Sequence, residues 1–93
     1  VDTLILDEDG KATESTGSFS EWRADSNTIM FTDASDPDYE FWYEYEISNN
    51  VLFLAPLDEN DNIMGENCVA YVKDGHNFDT SLDGATIPNW CTG

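Results

Sequence analysis

An all-β chain folded as an antiparallel up-and-down meander is what this sequence predicts, and three observations carry the prediction. Short runs rich in β-branched and aromatic residues recur along the chain, turn residues stand between them, and no window shows the 3.6-residue apolar period of a substantial helix. With 93 residues, the chain makes one domain, 1–93, that buries about two-thirds of the surface it exposes when unfolded. A 40% hydrophobic and 13% aromatic content is too rich for a disordered acidic tail, so the rings must pack.

Thr3 to Leu6 reads as the first strand. Asp9-Gly10 turns it back into Lys11 to Ser15, because Asp-Gly accepts the positive φ of a tight hairpin. Gly17 to Arg23 reads as the next strand, but Phe19 and Trp22 stand three apart, and strict alternation would put them on opposite faces. A β-bulge near Ser20-Glu21 would realign them. Ala24 to Asn27 then turns the chain into Thr28 to Thr32, with Ile29 and Phe31 on one face.

Asp33 to Asp38, containing Pro37, is a polar connection into the clearest strand, Tyr39 to Ser48. Alternation places Tyr39, Phe41, Tyr43, Tyr45 and Ile47 on one face, and Glu40, Trp42, Glu44, Glu46 and Ser48 on the other. The first face is expected to be core and the second solvent. Asn49-Asn50 suits a tight turn into Val51 to Leu57. Asp58 to Asn67 follows as a second acidic loop in which Ile63 and Met64 extend a strand, and Cys68 to Lys73 forms another, ended by Asp74-Gly75. From His76 onward a loop-like tail is expected, with one short strand at Ala85 to Ile87.

The phrases Gly17-Ser18-Phe19 with Asn27 to Thr32, and Tyr43-Glu44-Tyr45-Glu46-Ile47 with Asn49 to Leu54, carry a likeness. Over Thr3 to Leu57 the chain resembles the small lipocalin-like domains of secreted and lipid-anchored prokaryotic proteins. The resemblance implies a small lipocalin-like barrel or strongly curled meander. This chain is short for an eight-stranded barrel with a roomy calyx, so its own aromatics are expected to fill the interior. The family supplies no catalytic residues to carry over.

Twenty Asp and Glu against three Lys and Arg give a formal charge of -17. Such a surface repels phosphate backbones and anionic membranes over roughly 8 Å at physiological salt, which excludes direct nucleic-acid binding. The acids lie on every loop and outward face, as in a chain adapted to salty water, and self-repulsion predicts a monomer. A carboxylate surface mimicking nucleic acid for a basic protein is the third reading. No apolar run is long enough for membrane insertion by a helix.

Cys68 and Cys91 fit none of the C-x-x-C zinc or redox patterns. A disulfide is expected, stabilising the fold by roughly 3 kcal/mol through loop entropy; two buried thiols are the competing state. The bridge implies an oxidising compartment, extracellular or periplasmic. The chain opens on Val1 with no leader of its own, so the expectation is a processed protein, exported by or lipid-anchored through an upstream segment.

Tyr39, Phe41, Tyr43 and Tyr45 are the candidate ligand-binding row, since an aromatic wall with a few hydroxyls suits a small apolar or aromatic molecule. The same row is also what core packing alone produces. Trp42, facing the other way among acids, is the candidate interaction surface, with cover by the tail, including Trp90, as its alternative. Asp33, Asp36 and Asp38, and Asp58, Glu59 and Asp61, invite calcium. However, Ile63 stands where an EF-hand loop requires glycine, so no metal and no cofactor is expected. His76, near Asp74 and Asp79, has no nucleophile beside it, and no enzyme is expected.

The expected function is that of a secreted non-catalytic binding or accessory module for an unknown small molecule or protein. The alternative is an interaction or structural domain of a larger surface protein with a solid core. Charge alone predicts that the melting temperature climbs with ionic strength whatever the cation. Thermal melts in sodium and calcium chloride at matched ionic strength check this, and a rise at micromolar calcium that sodium does not reproduce would establish a specific ion site instead.

Overall fold

Residues that accept positive φ set the hairpin turns, and antiparallel pairing does the rest. The computed structural model describes residues 4–15, 17–36, 38–73 and 75–91; the expectations that fall on Thr3, Pro37 and Asp74 lie outside them. The strands are β1 (Leu4–Leu6), β2 (Ala12–Glu14), β3 (Phe19–Ala24), β4 (Thr28–Asp33), β5 (Glu40–Ser48), β6 (Val51–Pro56) and β7 (Val69–Val72). A 3-10 turn at Gly65–Asn67 precedes β7, and a helix, α1 (Phe78–Asp83), follows it. β1 pairs with β2, and the other strands are hydrogen-bonded in the order β3-β4-β5-β6-β7. This is the expected meander, and among the described residues it does not close into a barrel.

The chain divides into two compact units, Val1–Trp42 and Tyr43–Gly93, with β5 running from the first into the second. In the first unit Gly10, at φ 87°, allows the turn between β1 and β2. That turn is fastened to β3, because the Trp22 backbone N–H donates to the Gly10 carbonyl at 2.9 Å and its indole N–H donates to the Asp7 carbonyl at 2.9 Å. The β3–β4 register shifts between Phe19 and Trp22, which is the bulge expected at Ser20-Glu21. It brings Phe19 flat onto Phe31, with centroids 4.4 Å apart and planes 10° apart. The Thr32 hydroxyl holds the bulge: it meets the Ser20 hydroxyl at 2.8 Å and accepts from the Glu21 N–H at 3.1 Å. Ile29, Met30, Phe31 and Thr32 are all buried, so β4 is covered on both faces.

In the second unit Asn49 and Asn50, at φ 49° and 67°, form a two-residue hairpin turn that matches strand twist. Its register sets Ser48 opposite Val51, Glu46 opposite Phe53 and Glu44 opposite Ala55. β6 pairs in turn with β7, Val51 with Val72 and Phe53 with Ala70. Directly opposite residues share a face, and on this one Val51, Phe53 and Ala55 are buried. The C-terminal segment is tied to the turn end of this pairing and to β7. Asn49 Nδ2 donates to the Ser81 carbonyl at 2.9 Å, the Thr86 N–H donates to Ser48 Oγ at 2.9 Å, Pro88 is buried, and α1 packs against β7. Cys68 and Cys91 are disulfide-bonded with Cα atoms 5.3 Å apart, joining this segment to the residue before β7.

Two expectations are therefore corrected. The tail carries α1, and Ala85 to Ile87 is not a strand. Asn77 caps the helix, its Oδ1 accepting from the Thr80 N–H at 3.1 Å. Nor is the tyrosine side of β5 the core throughout: Tyr39 is 54% and Ile47 65% exposed, while Phe41, Tyr43 and Tyr45 are half-buried. In the second unit the physical reason lies in the sheet order: β6 sits between β5 and β7 and takes the burial on both sides, Val51, Phe53 and Ala55 on one and Leu54 on the other, whereas Ile47 stands next to the hairpin turn. Replacing Phe31 by alanine is expected to cost about 3–5 kcal/mol, through the lost ring and the cavity left behind. Tyr39→Ala is expected to cost about 1 kcal/mol or less, and urea-denaturation midpoints of the two variants check the contrast.

Candidate functional site

Tyr39 and Phe41 of the aromatic row lie in the first unit, Tyr43 and Tyr45 in the second. In the first unit Phe41 leans on Phe19 at 5.6 Å and on Tyr39 at 4.9 Å, the ring planes tilted by 57° and 59°. Phe19, Phe31, Phe41 and Tyr39 thus make a continuous aromatic cluster. Beside it lies an open depression of about 440 Å³, lined by Gly17, Ser18, Asp33, Ala34, Ser35 and Phe41. Gly17, at φ 76°, turns the chain out of β2, and its N–H donates to the Glu14 carbonyl at 2.8 Å. The Ala34 N–H donates to the Ser18 carbonyl at 2.9 Å, closing the other side. Of the expected row only Phe41 lines this hollow; Tyr43 and Tyr45 belong to the second unit.

There the pairing of β5, β6 and β7 builds a different surface. Ile47 stands opposite Leu52, and Leu52 opposite Tyr71; Tyr45 stands opposite Leu54, and Leu54 opposite Val69. These two cross-strand rows occupy the side of the sheet away from Val51 and Phe53. Ile47 is 65% and Val69 47% exposed, Tyr45, Leu52 and Tyr71 are half-buried, and Leu54 is buried between them. Sequence reasoning singled out Tyr45 here but missed Leu52, Val69 and Tyr71. The Asn49-Asn50 turn carried the signal for Leu52, since a two-residue loop dictates register. Nothing in the longer 57–68 connection reveals how β7 aligns on β6.

The acidic loops are closed on themselves. Asp58 Oδ1 accepts from the Asn60 and Asn62 N–H groups at 2.8 and 2.9 Å, and the Asp58 N–H donates to the Asn62 carbonyl at 2.9 Å. Asp7 does the same, its Oδ1 accepting from the Asp9 and Lys11 N–H groups at 3.0 and 2.9 Å while its N–H donates to the Lys11 carbonyl at 3.0 Å. In each loop the fourth residue has positive φ, Gly10 at 87° and Asp61 at 63°. The segment that begins like a calcium loop is therefore a hairpin turn, whose lead carboxylate serves backbone donors. Among the described residues no group of three or more His, Cys, Asp and Glu side chains is placed to hold a metal ion. His76 is an exposed turn residue whose N–H donates to the Lys73 carbonyl at 3.1 Å.

Trp42 is half-buried, and its indole N–H donates to Glu40 Oε1 at 3.3 Å. The ion pairs Lys11–Glu21 and Arg23–Glu40, at 3.7 and 4.0 Å, are exposed and contribute little. No helix is long and apolar enough to cross a membrane among the described residues. Comparison with known proteins returns no matching family model, curated protein or solved structure.

The Ser35 N–H and then its hydroxyl hold the Asp33 carboxyl below its usual 3.8, and the Asn62 N–H, with smaller help from Asn60, does so for Asp58. A depressed folded-state pKa contributes stability that is fully present above the unfolded value and is lost as pH falls through the folded one. Titration of the carboxyl carbons by NMR is expected to place both midpoints below 3.8. The acid limb of the melting-temperature profile should be shallower in an Asp33→Asn/Asp58→Asn variant, which keeps an acceptor oxygen without the charge.

Proposed function

We propose that this chain is an exported, non-catalytic interaction module that works through its surface rather than through an enclosed ligand cavity. One observation carries the reading. Phe19 stacks on Phe31 and is tilted against Phe41, so these rings pack on one another, and the hollow beside Phe41 is open and lined mainly by small residues. Small-molecule sites bury most of their ligand in a concave apolar pocket, and this hollow has one aromatic wall. Export is supported by the Cys68–Cys91 disulfide, since such bonds persist in oxidising compartments. The lipocalin-like likeness of the hairpins belongs to the same proposal, as a shared ribbon without a shared calyx. Charge repulsion between copies supports a monomeric state.

The depression beside Phe41 keeps small-ligand binding as the second reading. Thermal melts against a panel of apolar and aromatic small molecules separate the two. No compound is expected to raise the melting temperature saturably, and Phe41→Ala is expected to respond as the native chain does. Saturable stabilisation by any compound, abolished in Phe41→Ala, would replace the interaction reading with the ligand-binding one.

A further inference from the structure

We propose that the face of β5, β6 and β7 formed by Ile47, Leu52, Tyr71, Tyr45, Leu54 and Val69 docks a protein segment that pairs apolar side chains with a basic cluster at one end. This rests on the interaction reading and names its surface and the chemistry of its partner. Twenty of 93 residues are acidic, yet two complete cross-strand rows carry no charge at all. Solvent alone does not favour such a face. On this face Ile47 and Val69 are left largely open to water. Exposed apolar patches rimmed by polar groups mark contact surfaces.

Charge selects the occupant. The row Tyr45–Leu54–Val69 lies toward the connection from β6 to β7, and that connection carries Asp58, Glu59, Asp61 and Glu66. The row Ile47–Leu52–Tyr71 lies toward the Asn49-Asn50 turn, where the Lys73 N–H donates to the Asn50 carbonyl at 2.8 Å. The 58–66 end of the face thus carries four carboxylates and no lysine or arginine, whereas the turn end carries Lys73 together with Asp79 and Asp83 of α1, which is bonded to Asn49 through Ser81. A second copy of the chain would bring like charges together across the contact, with a formal -17 on each. A segment with lysines or arginines over the 58–66 end and apolar anchors across the rows meets complementary chemistry at every point. Its attraction would speed encounter, and the apolar rows would set how long it stays.

The test uses a short amphipathic peptide of leucine and lysine, with a leucine and glutamate peptide as its counterpart. Wild-type chain, labelled for NMR, should show amide shifts confined to residues 45–54, 58–66 and 69–72 on titration with the lysine peptide, and none with the glutamate peptide. Calorimetry should give an affinity that falls as salt rises. Ile47→Thr/Val69→Thr keeps β-branching and charge, and should weaken binding by about tenfold. Ile5→Thr, a comparably exposed apolar site in the first unit, should leave the affinity unchanged. Glu59→Gln/Glu66→Gln should weaken binding several-fold and flatten its salt dependence.

Shifts elsewhere on the chain, equal weakening by Ile5→Thr, or binding of both peptides would overturn the proposal. So would sedimentation showing wild-type self-association that Ile47→Thr/Val69→Thr abolishes, because the face would then belong to a second copy. The wild-type shift map needs no variant to fold. Small-molecule stabilisation lost with Phe41→Ala sinks the broader reading, whereas misplaced peptide shifts sink only this face.

Discussion

The second unit depends on the ties that hold its C-terminal segment against the Asn49-Asn50 hairpin and β7. Asn49 Nδ2 on the Ser81 carbonyl, the Thr86 N–H on Ser48 Oγ and the Cys68–Cys91 bond hold that segment at three places. Gly84 is packed so close to Asn49 that an added Cβ would come within 2.5 Å of Nδ2. Val51, Phe53 and Ala55 on one side of β6 and Leu54 on the other are buried, while Ile47 and Val69 stay largely exposed.

Charge shapes what is left outside. Most carboxylates are exposed, and the two exposed ion pairs involve only Lys11 and Arg23, so repulsion is relieved chiefly by counterions. Where carboxylates do structural work they do it as acceptors: Asp7, Asp33 and Asp58 each take backbone N–H groups of their own loop. A carboxylate so occupied is a weaker candidate for a metal ligand than its sequence neighbourhood implies. The loop beginning at Asp58 shows how a familiar spacing can be produced by turn chemistry instead.

Local signals carried most of the architecture. The bulge followed from the three-residue spacing of Phe19 and Trp22, and the β5–β6 hairpin from Asn49-Asn50, because both are written within a few residues. Alternation along β5 was equally clear, but it says only which residues share a side and not which side a distant segment covers. α1 stayed hidden because it is six residues long, too short for an apolar period to register, and its one marker was the cap at Asn77. The β7 alignment, and with it a third of the proposed docking face, rests on pairing across a connection whose length does not dictate register.

The turns at Asp7–Lys11 and Asp58–Asn62 have a further consequence. One set of bonds is built twice, from Asp-Glu-Asp-Gly-Lys and from Asp-Glu-Asn-Asp-Asn, and only the lead aspartate and the left-handed fourth position make the shape. The second and third residues contribute no side-chain bond to either closure. The crest of each turn can therefore change identity while the frame beneath stays the same, and in the first turn that frame is itself anchored on β3 through Trp22.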